Sequence, residues 1–143
     1  GLIVIEGWCF GAKPQAPNSL IEPVNHLERS EDPDGVCRDY VNTALATQYP
    51  QLFELADSTA MLRAPSFKTV FEWRLEQEQK LIEKLRSTKT DPASVSTMSD
   101  EEIRRFIQNF QRITEHCLEE MPTRVDHLFQ LNAARQIVDY RKP

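Results

Sequence analysis

Leu2-Ile3-Val4-Ile5, closed by Glu6-Gly7-Trp8, sets four apolar residues in a row, three of them β-branched, against an acidic residue and a glycine. Polar and apolar residues do not alternate here, so a strand built from this run has both faces covered, as central strands of parallel sheets do. The run predicts an interior parallel strand from Leu2 to Glu6. Ligands of open parallel sheets bind beyond the carboxyl ends of the strands, which puts Glu6 at a candidate site. A carboxylate there holds a hydrated magnesium ion through water or accepts a proton from an attacking hydroxyl. Gly7 lets the chain turn sharply beside a ligand. The competing reading is a carboxylate that ends a strand and faces water.

Downstream, Trp8 to Gly35 holds Pro14, Pro17, Pro23 and Pro33, too many breakers for a long helix and too many residues for a plain connector. Val36, Tyr40, Val41, Ala44 and Leu45 share one face of a helix predicted over 36–49, with Pro50 ending it and a further short turn around Leu52, Phe53 and Leu55. Ser58 to Arg63 is a strand candidate. Ser66 caps a helix from Phe67 to about Arg86, with Glu76 and Lys80 paired on its wet side. A loop follows from Thr88 to Thr97. Ser99-Asp100-Glu101-Glu102 reads as a capping box, opening a helix whose apolar residues run from Ile103 to Met121. Pro122 stops it. Val125 to Leu131 alternates as a last strand, with Val125, Phe129 and Leu131 on one face, and the tail from Ala133 is either a helix or a frayed end. Strands alternating with helices argue an α/β fold with a parallel sheet flanked by helices. Three strands do not bury both faces under so many helices, and the chain opens without Met inside a strand. It is therefore expected to be the later portion of a longer protein.

The 143 residues suit one domain spanning 1–143. A 40% hydrophobic and 27% charged composition is that of an ordinary globular chain rather than a disordered one. A net charge of -5 argues against nucleic acid and anionic lipid, which demand a basic footprint. No apolar run reaches the ~20 residues that span a bilayer. Cys9, Cys37 and Cys117 are odd in number, far apart and not at zinc-ligand spacing, as suits idle thiols in a reducing compartment, the cytoplasm.

Two cations stand out. Lys13, before Pro14 on a stiff loop near the strand end, is a compact point charge for a carboxylate or phosphate. Arg74 lies seven residues beyond Phe67, about 20° from it around the helix at 100° per residue, hence on the apolar stripe. An arginine there is either paired with Glu78, four residues on, or aimed at nucleotide phosphates. His26, His116 and His127 share no useful spacing. With glycine only at positions 1, 7, 11 and 35, the sequence holds no G-x-x-x-x-G-K-[ST] phosphate loop, no dinucleotide loop and no nucleophile elbow.

Glu6-Gly7-Trp8-Cys9-Phe10-Gly11-Ala12-Lys13-Pro14 resembles a block of the D-glycerate 3-kinase-like branch of P-loop kinases, related to phosphoribulokinase and uridine kinase. The resemblance continues through Pro23-Val24-Asn25, Leu27-Glu28, Glu31-Asp32-Pro33-Asp34-Gly35 and Arg38-Asp39-Tyr40-Val41-Asn42. It reaches Ala64-Pro65-Ser66-Phe67, Trp73-Arg74-Leu75, Gln77-Glu78, Met98-Ser99-Asp100 and Phe106-Ile107. Cys37 stands where an aromatic residue was expected. The resemblance covers the C-terminal portion of that family.

It implies a partial P-loop kinase fold without the N-terminal Walker A strand and loop, and ATP-dependent phosphoryl transfer, with magnesium, to a small hydroxy acid such as D-glycerate. Glu6 would take the acidic, catalytic position near magnesium, Trp8 and Lys13 the acceptor side, and Arg74 the lid over the nucleotide phosphates. ATP and the small-molecule substrate would be the partners. The chain alone would be inactive and fold poorly, since the strand between Glu6's strand and the one at 58–63 is the missing one. The alternatives are a non-catalytic helical interaction module built on the Phe67 and Ser99 helices, or a kinase for another small alcohol.

Overall fold

The computed structural model describes residues 1–88 and 97–142, so most of the loop expected between Thr88 and Thr97 lies outside the described residues. After the Trp8–Gly11 turn, the breaker-rich stretch holds a 3-10 turn at Pro17–Leu20 and a short helix, α1, His26–Glu31. Then come α2, Val36–Thr47, and the single turn α3, Pro50–Phe53. Strand β1 is Ala60–Arg63, followed by α4, Phe67–Ser87, and α5, Asp100–Glu120. A 3-10 turn at Met121–Thr123 leads into β2, His127–Leu131, and β3, Ile137–Arg141.

Local chemistry sets the helix starts. Asn25 Oδ1 accepts from Glu28 N at 2.9 Å and opens α1. Gly35 precedes α2 with φ 77, and a Cβ there would come within 3.2 Å of the Arg38 guanidinium, so the position demands glycine. Asp32 caps α2 from a distance, accepting from Cys37 N and Arg38 N. Ser66 caps α4, and the capping box of Ser99 and Glu102 opens α5 as expected.

The sheet is mixed, which corrects the expected parallel one. β1 and β2 run parallel with Met61 opposite Leu128, and β3 joins β2 antiparallel with Phe129 opposite Tyr140. The tail from Ala133 is thus neither helix nor frayed end but half of a hairpin. The register in β2 is also corrected: Leu128 is the fully buried residue, and Phe129 faces the other way, against Tyr140 with ring centroids 4.9 Å apart. Val125 is buried in the turn before the strand.

The largest correction concerns Leu2 to Glu6. It forms no strand, and Leu2 and Ile3 are 90% and 87% exposed. A strand exists through ladder hydrogen bonds to a neighbour, and no described residue supplies one. The strand order β1-β2-β3 leaves β1 at the edge, its outer side unpaired and Leu62 exposed. The α2 stripe is corrected as well. Ala44 and Leu45 turn inward, but Val36, Tyr40 and Val41 are exposed, and Arg38 is the buried residue of the first turns.

The core gathers Ala12, Leu45, Met61, Cys117, Met121 and Leu128, with Val125 beside them. Helix α5 is its spine. Ile103 and Ile107 are fully buried on its inner side, each worth ~1.5–3 kcal/mol of apolar burial. On the same helix Arg112 grips Glu28 of α1 through two hydrogen bonds, 2.8 and 2.7 Å, and meets the carbonyls of Ser19 and Glu22. This fork fixes the irregular segment 17–28 onto α5. No helix among the described residues is long and apolar enough to cross a membrane.

Candidate functional site

The Trp8–Gly11 turn is closed by Phe10 N donating to Gly7 O and Ala12 N to Cys9 O, with Gly11 at φ 80. It delivers the Trp8 indole onto α5. There Trp8 stacks on Phe110, centroids 5.0 Å apart, and Nε1 donates to Thr114 Oγ1 at 3.0 Å. Phe110 meets Phe106 at 5.2 Å, and the Arg74 guanidinium sits 6.0 Å from the Phe106 ring. An aromatic row therefore connects Trp8 to Arg74 across the α4–α5 interface.

Trp8 and Arg74 line one open pocket of about 390 Å³ together with Trp73, Gln77, Lys80 and Arg135. Arg74 donates to Glu78 Oε2 at 2.8 Å, so the internal pair is made, and the arginine still borders the pocket. Glu78 is buried and its Oε1 accepts from Met98 N at 2.8 Å. The Met98 amide first, then Arg74, hold its carboxyl below the usual glutamate range, against the opposing effect of burial. Trp73 Nε1 donates to Ala133 O at 2.7 Å, tying α4 to the β2–β3 turn, where Arg135 takes φ 62 and lies over the Trp73 ring at 5.3 Å. Glu76 bridges Arg135 and Lys80, both at 2.5 Å, and these two cations hold its carboxyl down at about 2.

Three cations thus share two carboxylates, leaving one positive charge in excess beside two indoles. Such a pocket suits an anion carried on a flat or sugar-like body. It also fits phosphate groups better than a bare carboxylate cluster does. Magnesium is commonly held by one or two carboxylates plus phosphate oxygens. The described residues contain no group of three or more His, Cys, Asp or Glu able to hold a metal.

The four residues singled out from the sequence do not all meet. Trp8 and Arg74 share the indole pocket. Lys13 lines a different cavity, between α1, α2 and α5. Glu6 is exposed, two residues before Trp8, lies in neither cavity, and makes no hydrogen bond or ion pair with the described residues. Sequence reasoning missed Arg135, because its turn contains no glycine or proline to announce a hairpin. Lys80 was visible only as the partner of Glu76. The His116 and Glu120 side chains, one turn apart on α5, bury Nε2 and Oε2 without a partner among the described residues.

No family model matches the chain. The uncharacterized kinase mug58 of Schizosaccharomyces pombe is 26% identical over 131 residues, covering 82% of this chain and 43% of that protein. The structure of a D-glycerate 3-kinase from Cryptococcus neoformans var. grubii superposes with a TM-score of 0.69 at 21% identity, over 96% of this chain and 48% of that one. The chain's fold is that of part of this kinase structure. The chain spans a little under half the length of each protein it matches. The chain is thus weakly similar in sequence to one kinase and similar in fold to about half of a D-glycerate 3-kinase. Trp8 and Arg74 line one pocket although 66 residues separate them along the chain.

Proposed function

We propose that the full-length protein carrying this sequence transfers a phosphoryl group from ATP to the hydroxyl of a small hydroxy acid such as D-glycerate. The observation that carries this reading is the shared pocket of Trp8, Arg74, Trp73, Lys80 and Arg135 in a chain whose fold matches a D-glycerate 3-kinase. ATP with magnesium would supply the phosphoryl group and a charge-neutralised leaving group. Arg74, with Lys80 and Arg135 beside it, would bind phosphate oxygens and offset the charge that builds on them. Glu6 would accept the proton as the acid's hydroxyl oxygen forms its bond to phosphorus and ADP departs, and through water would help hold magnesium. Trp8 and Lys13 would border the acceptor.

We also propose that the 143 residues alone do not turn over. Phosphoryl transfer depends on donors that cradle the β- and γ-phosphates, and the sequence holds no glycine-rich phosphate loop. The exposed Leu2–Ile5 run and the open edge of β1 are both unpaired, as expected if a further strand lies between them. The test is an ADP-release assay with D-glycerate on the full-length protein and on residues 1–143. Turnover by the first and none by the second is expected. Turnover by residues 1–143 alone would refute the second proposal, and a full-length protein inert toward every small hydroxy acid would refute the first.

A further inference from the structure

The three cysteines lie far apart in sequence, and the fold brings two of them together. The Trp8–Gly11 turn follows α5 step for step. Trp8 Nε1 donates to Thr114 Oγ1, a Cβ on Gly11 would stand 3.7 Å from Met121 Cε, and Arg124, beyond the helix end, donates to the Gly11 carbonyl. Cys9 lies between these contacts on the turn, and Cys117 lies between Thr114 and Met121, about one helical turn from each. The Cys9 side chain accordingly packs against the buried cluster that holds Cys117, and the two thiols are hydrogen-bonded neighbours. Cys37 stands apart, exposed at the start of α2.

The pair is asymmetric. Cys9 is half-buried and so within reach of solvent, whereas Cys117 is buried. The Cys117 S–H first, and the Thr114 hydroxyl after it, favour the charged form of Cys9 and hold its thiol below the ordinary range against the opposing effect of burial. The same hydrogen bond, together with burial, pushes the Cys117 thiol up. An accessible sulfur inclined to the thiolate, with a second thiol beside it, is the arrangement of an oxidation-sensitive pair. We propose that Cys9 and Cys117 form a reversible disulfide, Cys9 being the sulfur that a peroxide oxidises and Cys117 the thiol that closes the bridge. The Cys9 thiolate attacks one oxygen of hydrogen peroxide, the O–O bond breaks, and Cys9 becomes a sulfenic acid. The departing hydroxide takes up the proton that Cys9 released and leaves as water. The Cys117 sulfur then bonds to the Cys9 sulfur, and the sulfenic hydroxyl departs with the Cys117 proton as a second water. Two thiols are oxidised and one peroxide is reduced. The bridge joins the turn that presents Trp8 to the helix it already meets through Thr114. The chemistry is that of the thiols alone and does not depend on phosphoryl transfer.

The experiment treats the full-length protein with hydrogen peroxide under native conditions, blocks the remaining thiols with N-ethylmaleimide, and maps the cysteine peptides by mass spectrometry without reduction. A cross-linked peptide pair holding Cys9 and Cys117 should form, lighter than its reduced parts by two hydrogens, and should vanish on treatment with dithiothreitol. Exposed Cys37 should stay outside the bridge, and its own oxidation shows that peroxide has reached the protein. Cys117→Ala should stop the chemistry at the sulfenic acid, so dimedone should label Cys9 several-fold more in this variant than in the parent. Cys9→Ser, at a half-buried position, should leave Cys117 reduced after the same treatment. Circular dichroism checks that each variant folds, and the parent's peptide map with Cys9→Ser decides the pairing should Cys117→Ala not fold. A bridge from Cys9 to any other cysteine, or one to Cys117 that forms only in urea, would overturn the proposal. So would oxidation of Cys37 with no bridge, or equal dimedone labelling of Cys9 in the parent and in folded Cys117→Ala.

Discussion

Trp8 and Phe110 lie face to face, centroids 5.0 Å apart and planes 12° from parallel, with the indole N–H bound to Thr114 on the next turn of α5. This contact anchors the turn that follows the exposed Leu2–Ile5 run. It also fixes, within two residues, where Glu6 leaves the body of the molecule.

Trp8→Phe should keep the stack and lose the hydrogen bond, costing about 0.5–1.5 kcal/mol, whereas Trp8→Ala should lose both and cost about 2 kcal/mol or more. Urea denaturation of both variants checks the order. Equal loss in the two would mean that the stack contributes nothing.

Gly35→Ala forces a Cβ into a left-handed backbone position and against the Arg38 guanidinium at 3.2 Å. A loss of about 1–2 kcal/mol in chemical denaturation is expected. Because Arg38 is also the partner of Asp32, the variant should loosen the start of α2 first, seen as faster amide exchange at Cys37 and Arg38.

Much of this arrangement could be read from the sequence, and the reasons for the remainder are physical. The Ser99–Glu102 box and the Glu76–Lys80 and Arg74–Glu78 pairs span three or four residues, so their geometry is written in the helix period. The Arg112–Glu28 fork spans 84 residues, and no local pattern distinguishes an arginine that reaches across the fold from one that faces water. β3 is exposed along its whole length, so it offers no burial alternation, and a bulge at Gln130/Leu131 shifts its register. The run Leu2–Ile5 announces burial without naming what covers it. The indole pocket needed Trp8 and Arg74, both visible, plus Arg135 from a turn without punctuation.

Glu78 supplies a pH test. The Met98 amide and Arg74 favour its charged form in the folded state, so its folded value lies below the unfolded one. Its contribution to stability is then full above the ordinary glutamate range and is lost as pH falls through the folded value. Glu78→Gln should cost about 2 kcal/mol at pH 7, and the gap to the parent should shrink below about pH 4. Thermal unfolding of both proteins across pH 3–7 would show it. A gap independent of pH would contradict the pairing.

Arg112→Lys keeps the charge but not the two-pronged grip on Glu28 or the bonds to Ser19 and Glu22. Limited proteolysis should then cut within 14–25 several-fold faster than in the parent, while α4 and α5 remain intact. Unchanged cleavage there would mean that the fork does not hold this segment.

Glu6 is exposed and makes no hydrogen bond or ion pair with the described residues, so Glu6→Gln should leave the fold as it is and isolate the proposed proton-accepting role. The decisive measurement is the turnover number of full-length Glu6→Gln with ATP and D-glycerate. The proposed reaction requires kcat to fall about 10²–10⁴-fold, with the KM for the acid changed only a few-fold. A variant that turns over at the parent's rate would contradict it.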